Sequence, residues 1–172
     1  MATGRAMQLT KQVGEYLVAA ELCRRGLIAT TFTGNVPHYD IIASNATGRH
    51  QAIQVKTING GGWQFDVRAF AEISLDGKRQ VVGARVPAPY PDLVCVFVRL
   101  RERGEDEFYI LTWKDLQRMM IKGHRGYLAR HGGVRPKKYD SYHGAIRPER
   151  LAKHRNKWSV LETRLRGVRS RN

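Results

Sequence analysis

Two short runs separated by turn-forming residues constrain the fold of this 172-residue chain most strongly. Residues 39–44 read YDIIAS and residues 51–58 read QAIQVKTI, and the second run alternates apolar and polar side chains. Between them lies a cluster of turn formers that includes NATG. This pattern predicts a β-hairpin, and a near-symmetric register would place Asp40 beside Gln54.

The hairpin brings together polar groups that a sheet does not otherwise favour. Gln54 and Lys56 project from the same face of their strand, roughly 7 Å apart. The Asp40 carboxylate and the Gln54 amide oxygen are hard ligands suited to Mg²⁺, and the backbone carbonyl of Val55 offers a further oxygen. Lys56 would then contact a scissile phosphate or hold the attacking water. Such a set is typical of phosphodiester hydrolysis that uses Mg²⁺, with Mn²⁺ as a substitute.

The remaining periodicities predict a layered α/β fold. Apolar residues at helical spacing indicate a helix over 7–25, and β-branched residues indicate a strand over 27–33. Residues 93–100 (LVCVFVRL) have the length and composition of a buried central strand. Another strand is predicted over 108–113, with a helix after it, whereas the pattern of residues 63–92 is not decisive. We therefore expect one mixed central sheet flanked by helices.

Positive charge is concentrated in the last third of the chain. Residues 118–172 contain 16 basic and three acidic residues, out of a net charge of +15 for the whole chain. Such a field attracts polyanions, and nucleic acid is the commonest polyanion in a cytoplasm. Ribosome association, an acidic protein partner and simple solubility are the alternatives. We expect a core over residues 1–117 and a basic helical and loop extension over 118–172, packed on the core or following it. The residues predicted to contact nucleic acid are Arg135, Lys137, Lys138, Tyr139, Arg147, Lys153 and Arg155.

Three stretches in order, GEYLVAAELCRRG, YDIIASN and IQVKT, resemble the PD-(D/E)XK phosphodiesterase superfamily of restriction-endonuclease-like proteins. They are most similar to Holliday-junction resolvases and Mrr-like nucleases. The resemblance covers residues 11–58, with the PD element loosened to PHYD and Gln54 in place of the second acidic residue.

The resemblance implies an αβββαβ core, dependence on a divalent metal, and DNA cleavage that leaves a 5′-phosphate. It implies that Asp40 and Gln54 are metal ligands, that Lys56 is the catalytic lysine, and that Glu15 is an auxiliary acid that contacts the metal through water. A homodimer is expected only by analogy with the family. DNA is the expected substrate, with RNA as an alternative.

Other interpretations of the same residues stay open. An amide at Gln54 removes one negative charge from the metal site, so a nuclease-fold or unrelated basic protein that binds DNA or RNA without cutting it is the alternative. Glu15 is also placed to pair with Lys11 four residues earlier. Gly14 either permits close approach of a strand or is incidental.

Several classes of protein are not favoured. The sequence contains no run of 18 apolar residues, so a membrane span is not expected. Its N-terminus lacks the apolar segment of a secretory signal. The two cysteines form no CxxC pair, which suits a reducing cytoplasm. Three histidines, His124, His131 and His154, are expected on the basic surface, and the three tryptophans are expected in the core.

Overall fold

The computed structural model describes residues 4–32 and 36–165. Three helices are present in this part of the chain: α1 (Gly4–Arg24), α2 (Trp113–Arg130) and α3 (Ser159–Leu165). The strands are β1 (Ile28–Thr31), β2 (Ile41–Ser44), β3 (His50–Ile58), β4 (Trp63–Asp66), β5 (Ala71–Asp76), β6 (Arg79–Arg85), β7 (Val94–Arg99), β8 (Glu107–Thr112) and β9 (His143–Ile146). Two 3₁₀ helices span Val67–Ala69 and Pro148–His154. None of the described helices is both long enough and apolar enough to cross a membrane.

A five-stranded mixed sheet forms the centre of the fold, in the order β1-β2-β3-β7-β8. The β3–β7 pair is parallel, and the other three pairs are antiparallel. The predicted hairpin is confirmed as β2 and β3, and its turn is held by Asn45, whose Oδ1 accepts hydrogen bonds from the Thr47 and Arg49 backbone N–H groups at 3.0 Å. The expected mixed sheet flanked by helices is therefore present.

Both faces of the sheet are covered, which explains the uninterrupted apolar run of β7. On one face, Val94, Val96 and Val98 pack with residues of α1 and α3. On the other face, Cys95 and Phe97 pack with residues of α2, β4 and the first 3₁₀ helix. A strand that is buried on both faces loses the usual alternation of apolar and polar side chains, because neither face contacts water.

The connection from β3 to β7 contains β4, the 3₁₀ helix and the β5–β6 hairpin, and no helix of the α class. The element order expected from the resemblance has a helix at this point. Here the sheet face that carries Cys95 and Phe97 is covered by α2, which follows β8 and packs near Phe70 and Trp63 in the same core. A parallel strand pair needs a long connection, and these short strands provide it.

Residues 118–165 are integrated with the core, and residues 166–172 of the predicted extension lie outside the described residues. The predicted division after residue 117 falls inside α2, and β9 pairs with β4 in antiparallel register. All three tryptophans are buried, as predicted. The expectation that His124 and His154 lie on the basic surface is wrong, because both are buried.

His124 is buried because it takes part in a polar network that joins α2 to β6. Gln80 Nε2 donates to the carbonyls of Tyr139 and Ser141, so Gln80 Oε1 is left as an acceptor for His124 Nε2–H at 2.9 Å. Burial chiefly, and then the nearby Arg135 charge, lower the pKa of His124. A neutral imidazole in this position donates one hydrogen bond and carries no charge into the core.

Gly14 sets the distance between α1 and β3. It is buried in the middle of α1, and a Cβ placed on it would overlap Thr57 Oγ1 and lie 2.8 Å from Thr57 Cβ. Of the two interpretations of Gly14, close approach of a strand is therefore the one observed. The contact holds α1 against the strand that carries Gln54 and Lys56.

Replacing Gly14 by Ala is expected to destabilise the protein by about 1–3 kcal/mol, because overpacking outweighs the better helix propensity of Ala. Gly126→Ala in α2 is the matched control: its nearest neighbour, Arg130 Nη1, would lie 3.7 Å away, so this variant should be neutral or stabilised. Adding Thr57→Ala to Gly14→Ala should recover part of the loss. Chemical denaturation measures all three, and a Gly14→Ala protein as stable as Gly126→Ala would contradict the close contact.

Candidate functional site

Asp40 continues the hydrogen-bond ladder of the sheet beyond the end of β2. Its backbone N–H donates to the Ile53 carbonyl at 2.8 Å, and its Oδ2 accepts from the Val55 N–H at 2.8 Å. The register pairs Ile41 with Ile53, so Asp40 lies opposite Gln54, as the near-symmetric hairpin predicts. In a strand, the N–H and C=O of one residue point the same way, so the Val55 carbonyl is directed to the same side as Asp40.

Aromatic contacts hold the segment that leads into Asp40. The Tyr39 ring makes edge contacts with Phe32 and Tyr90, with ring centroids 5.6 and 5.0 Å apart. His38 adopts a positive φ of 78°, which is uncommon for a residue other than glycine. This backbone turn directs the His38 carbonyl toward Gln54, whose Nε2 donates to it at 3.4 Å. The amide oxygen of Gln54 is then the group left to accept or coordinate.

Lys11 of α1 connects the two carboxylates of the candidate site. Its Nζ lies 3.4 Å from Glu15 Oε1 and 3.3 Å from Asp40 Oδ1. The Lys11 side chain is 54% exposed, whereas those of Glu15 and Asp40 are only 15% and 16% exposed. Glu15 therefore pairs with Lys11, as one interpretation predicts, and it also reaches the position of Asp40. Two carboxylates from different elements share a single cationic group.

The pKa values reflect this crowding. Burial, and then repulsion from Asp40, raise the pKa of Glu15, although the Lys11 charge opposes the shift. Partial burial alone would lower the pKa of Lys11, but attraction to Asp40 and Glu15 outweighs it and leaves the pKa raised. The site thus resists the ionisation of Glu15 and favours a cation beside it.

Lys56 lies two residues beyond Gln54 on β3, on the face toward α2. Its Nζ lies 5.9 Å from the centroid of the Phe65 ring, and its carbonyl accepts a hydrogen bond from Trp63 Nε1 at 2.9 Å. Within residues 4–32 and 36–165, its ammonium group forms no ion pair with a carboxylate. The Lys56 charge is therefore held near the site by an aromatic ring rather than neutralised.

The donor atoms at this place suit a hard cation. They comprise the Glu15 and Asp40 carboxylates, the Gln54 amide oxygen and the Val55 carbonyl, all of them oxygen ligands. The neighbouring thiol of Cys95 is fully buried, which raises its pKa to about 12 and keeps it protonated at neutral pH. Among the described residues, no group of three or more His, Cys, Asp or Glu side chains could hold a metal. Any metal here would thus depend on the amide and carbonyl oxygens as well.

The role of Lys11 extends beyond what its spacing predicts. Its four-residue separation from Glu15 predicts their ion pair, and this pair is present. The contact with Asp40 depends on how closely α1 packs against β3, and no local pattern in the sequence reports that distance. The sequence therefore predicts the contact of Lys11 with Glu15 but not its contact with Asp40.

Most of the residues predicted to contact nucleic acid are accessible to solvent. Arg135 is half-buried, and the other six are exposed: Lys137, Lys138, Tyr139, Arg147, Lys153 and Arg155. Arg155 is also engaged with Glu107, at 3.5 Å. Their role in binding stays a prediction.

No protein-family model and no curated protein sequence matches the chain. One solved structure, described as the bacterial homing endonuclease I-Ssp6803I, is similar with a TM-score of 0.48 and 13% sequence identity. The match covers 92% of this chain and 94% of that chain. A likeness at this level does not assign a fold family or a function, so the assignment of the site rests on its own residues.

Glu15→Gln is expected to change the pH dependence of stability. Because the folded-state pKa of Glu15 is raised, the folded protein holds a proton that the unfolded chain has released, and stability falls as pH rises from the ordinary glutamate pKa of 4.5 through the raised value. The glutamine in the variant does not titrate, so the variant does not lose stability in this way as pH rises. The free energy of unfolding of Glu15→Gln minus that of wild type should therefore be larger at pH 7 than at pH 4.

Denaturant unfolding at the two pH values measures this difference. Glu102→Gln, which removes a charge from the exposed loop after β7, controls for the change in net charge. An equal difference at pH 4 and pH 7 would show that Glu15 does not lie in the environment described.

Proposed function

We propose that this chain is a metal-dependent endonuclease that hydrolyses DNA phosphodiester bonds at the site of Glu15, Asp40, Gln54 and Lys56. The observation that carries the proposal is the single cation position shared by the carboxylates of Asp40 and Glu15. In the structure the Lys11 ammonium occupies this position, 3.3 Å from Asp40 Oδ1 and 3.4 Å from Glu15 Oε1. A site that accepts one cation between two carboxylates is suited to another of higher charge.

Each residue has a defined task in this proposal. Asp40 and Gln54 would hold a Mg²⁺ or Mn²⁺ ion directly with the Val55 carbonyl, and Glu15 would hold it through water. When bound, such an ion supplies Lewis-acid charge at the scissile phosphate and lowers the pKa of an attacking water. Lys11 would move aside, which its exposed side chain permits. Lys56 would face the charge that develops on the phosphate, where a positioned donor lowers the barrier.

The choice of DNA as substrate rests on charge. The chain carries a net charge of +15, and most of the excess lies in residues 118–172. Binding that neutralises several phosphates releases condensed counterions, which favours association with duplex or branched DNA. RNA is the alternative polyanion, and a comparison of both substrates distinguishes them.

A second function is favoured by one specific observation. The Lys11 ammonium already forms ion pairs with both carboxylates, so the same arrangement serves a protein that binds nucleic acid and needs no metal. In that case the ion pairs would be structural and Lys56 would be one more phosphate contact. The two functions differ in whether metal binds and in whether DNA is cut.

The metal assignment is tested by calorimetric titration of Mn²⁺. Asp40→Asn should abolish binding, because it removes the ligand that lies between Gln54 and Glu15. Gln54→Glu should tighten binding, because it restores a carboxylate where the amide now stands. Asp76→Asn, at the exposed tip of the β5–β6 hairpin, is the control and should bind as wild type does. Binding that survives Asp40→Asn would place the metal elsewhere.

The catalytic assignment is tested by nicking of supercoiled plasmid and cutting of four-way junctions with Mg²⁺, Mn²⁺ or EDTA. Lys56→Ala should lower the cleavage rate on the order of a hundredfold, because its contribution is largest in the transition state. DNA affinity should change little, as one of 30 basic residues is lost. Lys78→Ala at the hairpin tip removes the same charge and should cut normally.

Wild-type protein that cuts no duplex, junction or single strand with either metal would refute the enzyme and favour the binding protein. Cutting that Lys56→Ala leaves unchanged would keep the nuclease and refute its site. The DNA ends produced by cleavage at the proposed site should carry a 5′-phosphate.

A further inference from the structure

A cavity of about 300 Å³ lies between α2 and β9, apart from the candidate site. Three arginines and several apolar side chains line it. The residues used below are Arg130, Arg135, Arg150, Val67, Met119 and Met120. Its volume falls at the lower end of the range for small-ligand pockets.

The arginines of this cavity have no anionic partners. No aspartate or glutamate lines the cavity, and within the part of the chain that the structure describes Arg130, Arg135 and Arg150 form no ion pair. Like charges that line one cavity repel each other, so the arrangement gains free energy when an anion enters. The guanidinium fork matches phosphate oxygens in geometry as well as in charge.

Of the two glycines of α2 that face these arginines, Gly123 is the one that leaves room for a side chain, that of Arg150. A Cβ on Gly123 would lie 3.1 and 3.3 Å from the two terminal nitrogens of Arg150, and one on Gly126 would lie 3.7 Å from Arg130 Nη1. Glycine is unfavourable in a helix interior. At Gly123 its presence lets the Arg150 guanidinium lie directly against the helix backbone.

Arg135 is held in one orientation. Its Nη1 donates to the His143 carbonyl at 2.7 Å, and its guanidinium lies 5.1 Å from the centroid of the Tyr127 ring. A fixed guanidinium loses little conformational entropy when it binds a ligand. Its remaining N–H groups are available to the cavity.

The apolar part of the lining distinguishes the ligand from a bare phosphate ion. The half-buried Met119 offers most of the hydrocarbon and thioether surface next to the arginines, because Met120 is only 5% exposed and Val67 is fully buried. Methionine adapts its shape to flat ligands and makes favourable contacts with aromatic rings. A ligand with one anionic end and one flat, weakly polar end fits both parts of the cavity.

We propose that this cavity binds one nucleotide of a DNA strand, with the phosphate at the arginines and the base against the methionines. The inference rests on the proposed function, because it names where the same DNA substrate is held away from the cleavage site. The two places are joined through the β4–β9 pair. Gly144 lines the cavity and pairs with Phe65, whose ring lies near the Lys56 ammonium.

Calorimetry with thymidine 5′-monophosphate, inorganic phosphate and thymidine tests the pocket, using the full chain. The monophosphate should bind more tightly than either part. Arg130→Gln and Arg150→Gln should each weaken its binding about tenfold or more, as loss of a charge-assisted hydrogen bond does. Arg85→Gln, on the exposed end of β6, removes the same charge and should bind within about twofold of wild type. Equal losses in all three variants, or none, would overturn the proposal.

Gly123→Ala gives a test that unfolding cannot imitate. The substitution should maintain or raise the thermal midpoint, because Ala favours the helix, yet weaken monophosphate binding as the new methyl group displaces Arg150. A Gly123→Ala protein that binds as wild type would contradict the role given to Arg150. The same variants should weaken binding of a single-stranded oligonucleotide, and unchanged oligonucleotide binding would refute a nucleotide within a strand.

Failure of this inference is distinguishable from failure of the proposed nuclease. If wild type cuts no DNA but the arginine variants lose the monophosphate, the pocket stands and the nuclease is wrong. If wild type cuts DNA and the arginine variants keep full monophosphate binding, the nuclease stands and the pocket is wrong.

Discussion

The hydrogen bond from the Val55 N–H to Asp40 Oδ2, at 2.8 Å, joins the fold to the candidate site. β2 begins at Ile41, which pairs with Ile53, so β2 itself provides no backbone partner for the Val55 N–H. Without the Asp40 carboxylate, this N–H group of β3 would be unpaired. The same bond fixes one oxygen of Asp40 and directs the other toward α1. The Asp40 side chain thus completes the hydrogen bonding of β3 and places a negative charge at the candidate site. Gln54 and Lys56 lie on the same strand, so their positions are fixed by β3.

The second constraint is electrostatic. Asp40 and Glu15 are mostly buried carboxylates. Burial, and then repulsion from Asp40, raise the pKa of Glu15, and the Lys11 ammonium opposes this shift only in part. Such a pair needs a cation, whether a lysine or a metal ion. Placing Lys11 on the outside of α1, with its side chain half exposed, gives the site a cation that can be exchanged. In the proposed nuclease a metal ion takes the place of this lysine, and in the proposed binding protein the lysine stays.

Local patterns predicted the elements whose partners are close in the chain. The β2–β3 hairpin and the buried strand β7 followed from alternation and from apolar length. Residues 63–92 were not decided by pattern because most side chains of β5 and β6 are exposed and form no apolar face, and because β4 pairs with β9, about 80 residues later. The contact of Lys11 with Asp40 depends on the approach of α1 at Gly14, and the burial of His124 depends on Gln80. Distances between elements, rather than propensities, decide these features.

The most direct measurement of the shared cation position is Mn²⁺ affinity in Lys11→Met, a variant that keeps the length of the side chain and removes its charge. If Asp40 and Glu15 form one position for which lysine and metal compete, Mn²⁺ should bind on the order of tenfold more tightly than to wild type. Lys114→Met, on the exposed surface of α2, corrects for the change in net charge. Mn²⁺ affinity that is unchanged or weaker in Lys11→Met, relative to this control, would contradict a metal site between the two carboxylates.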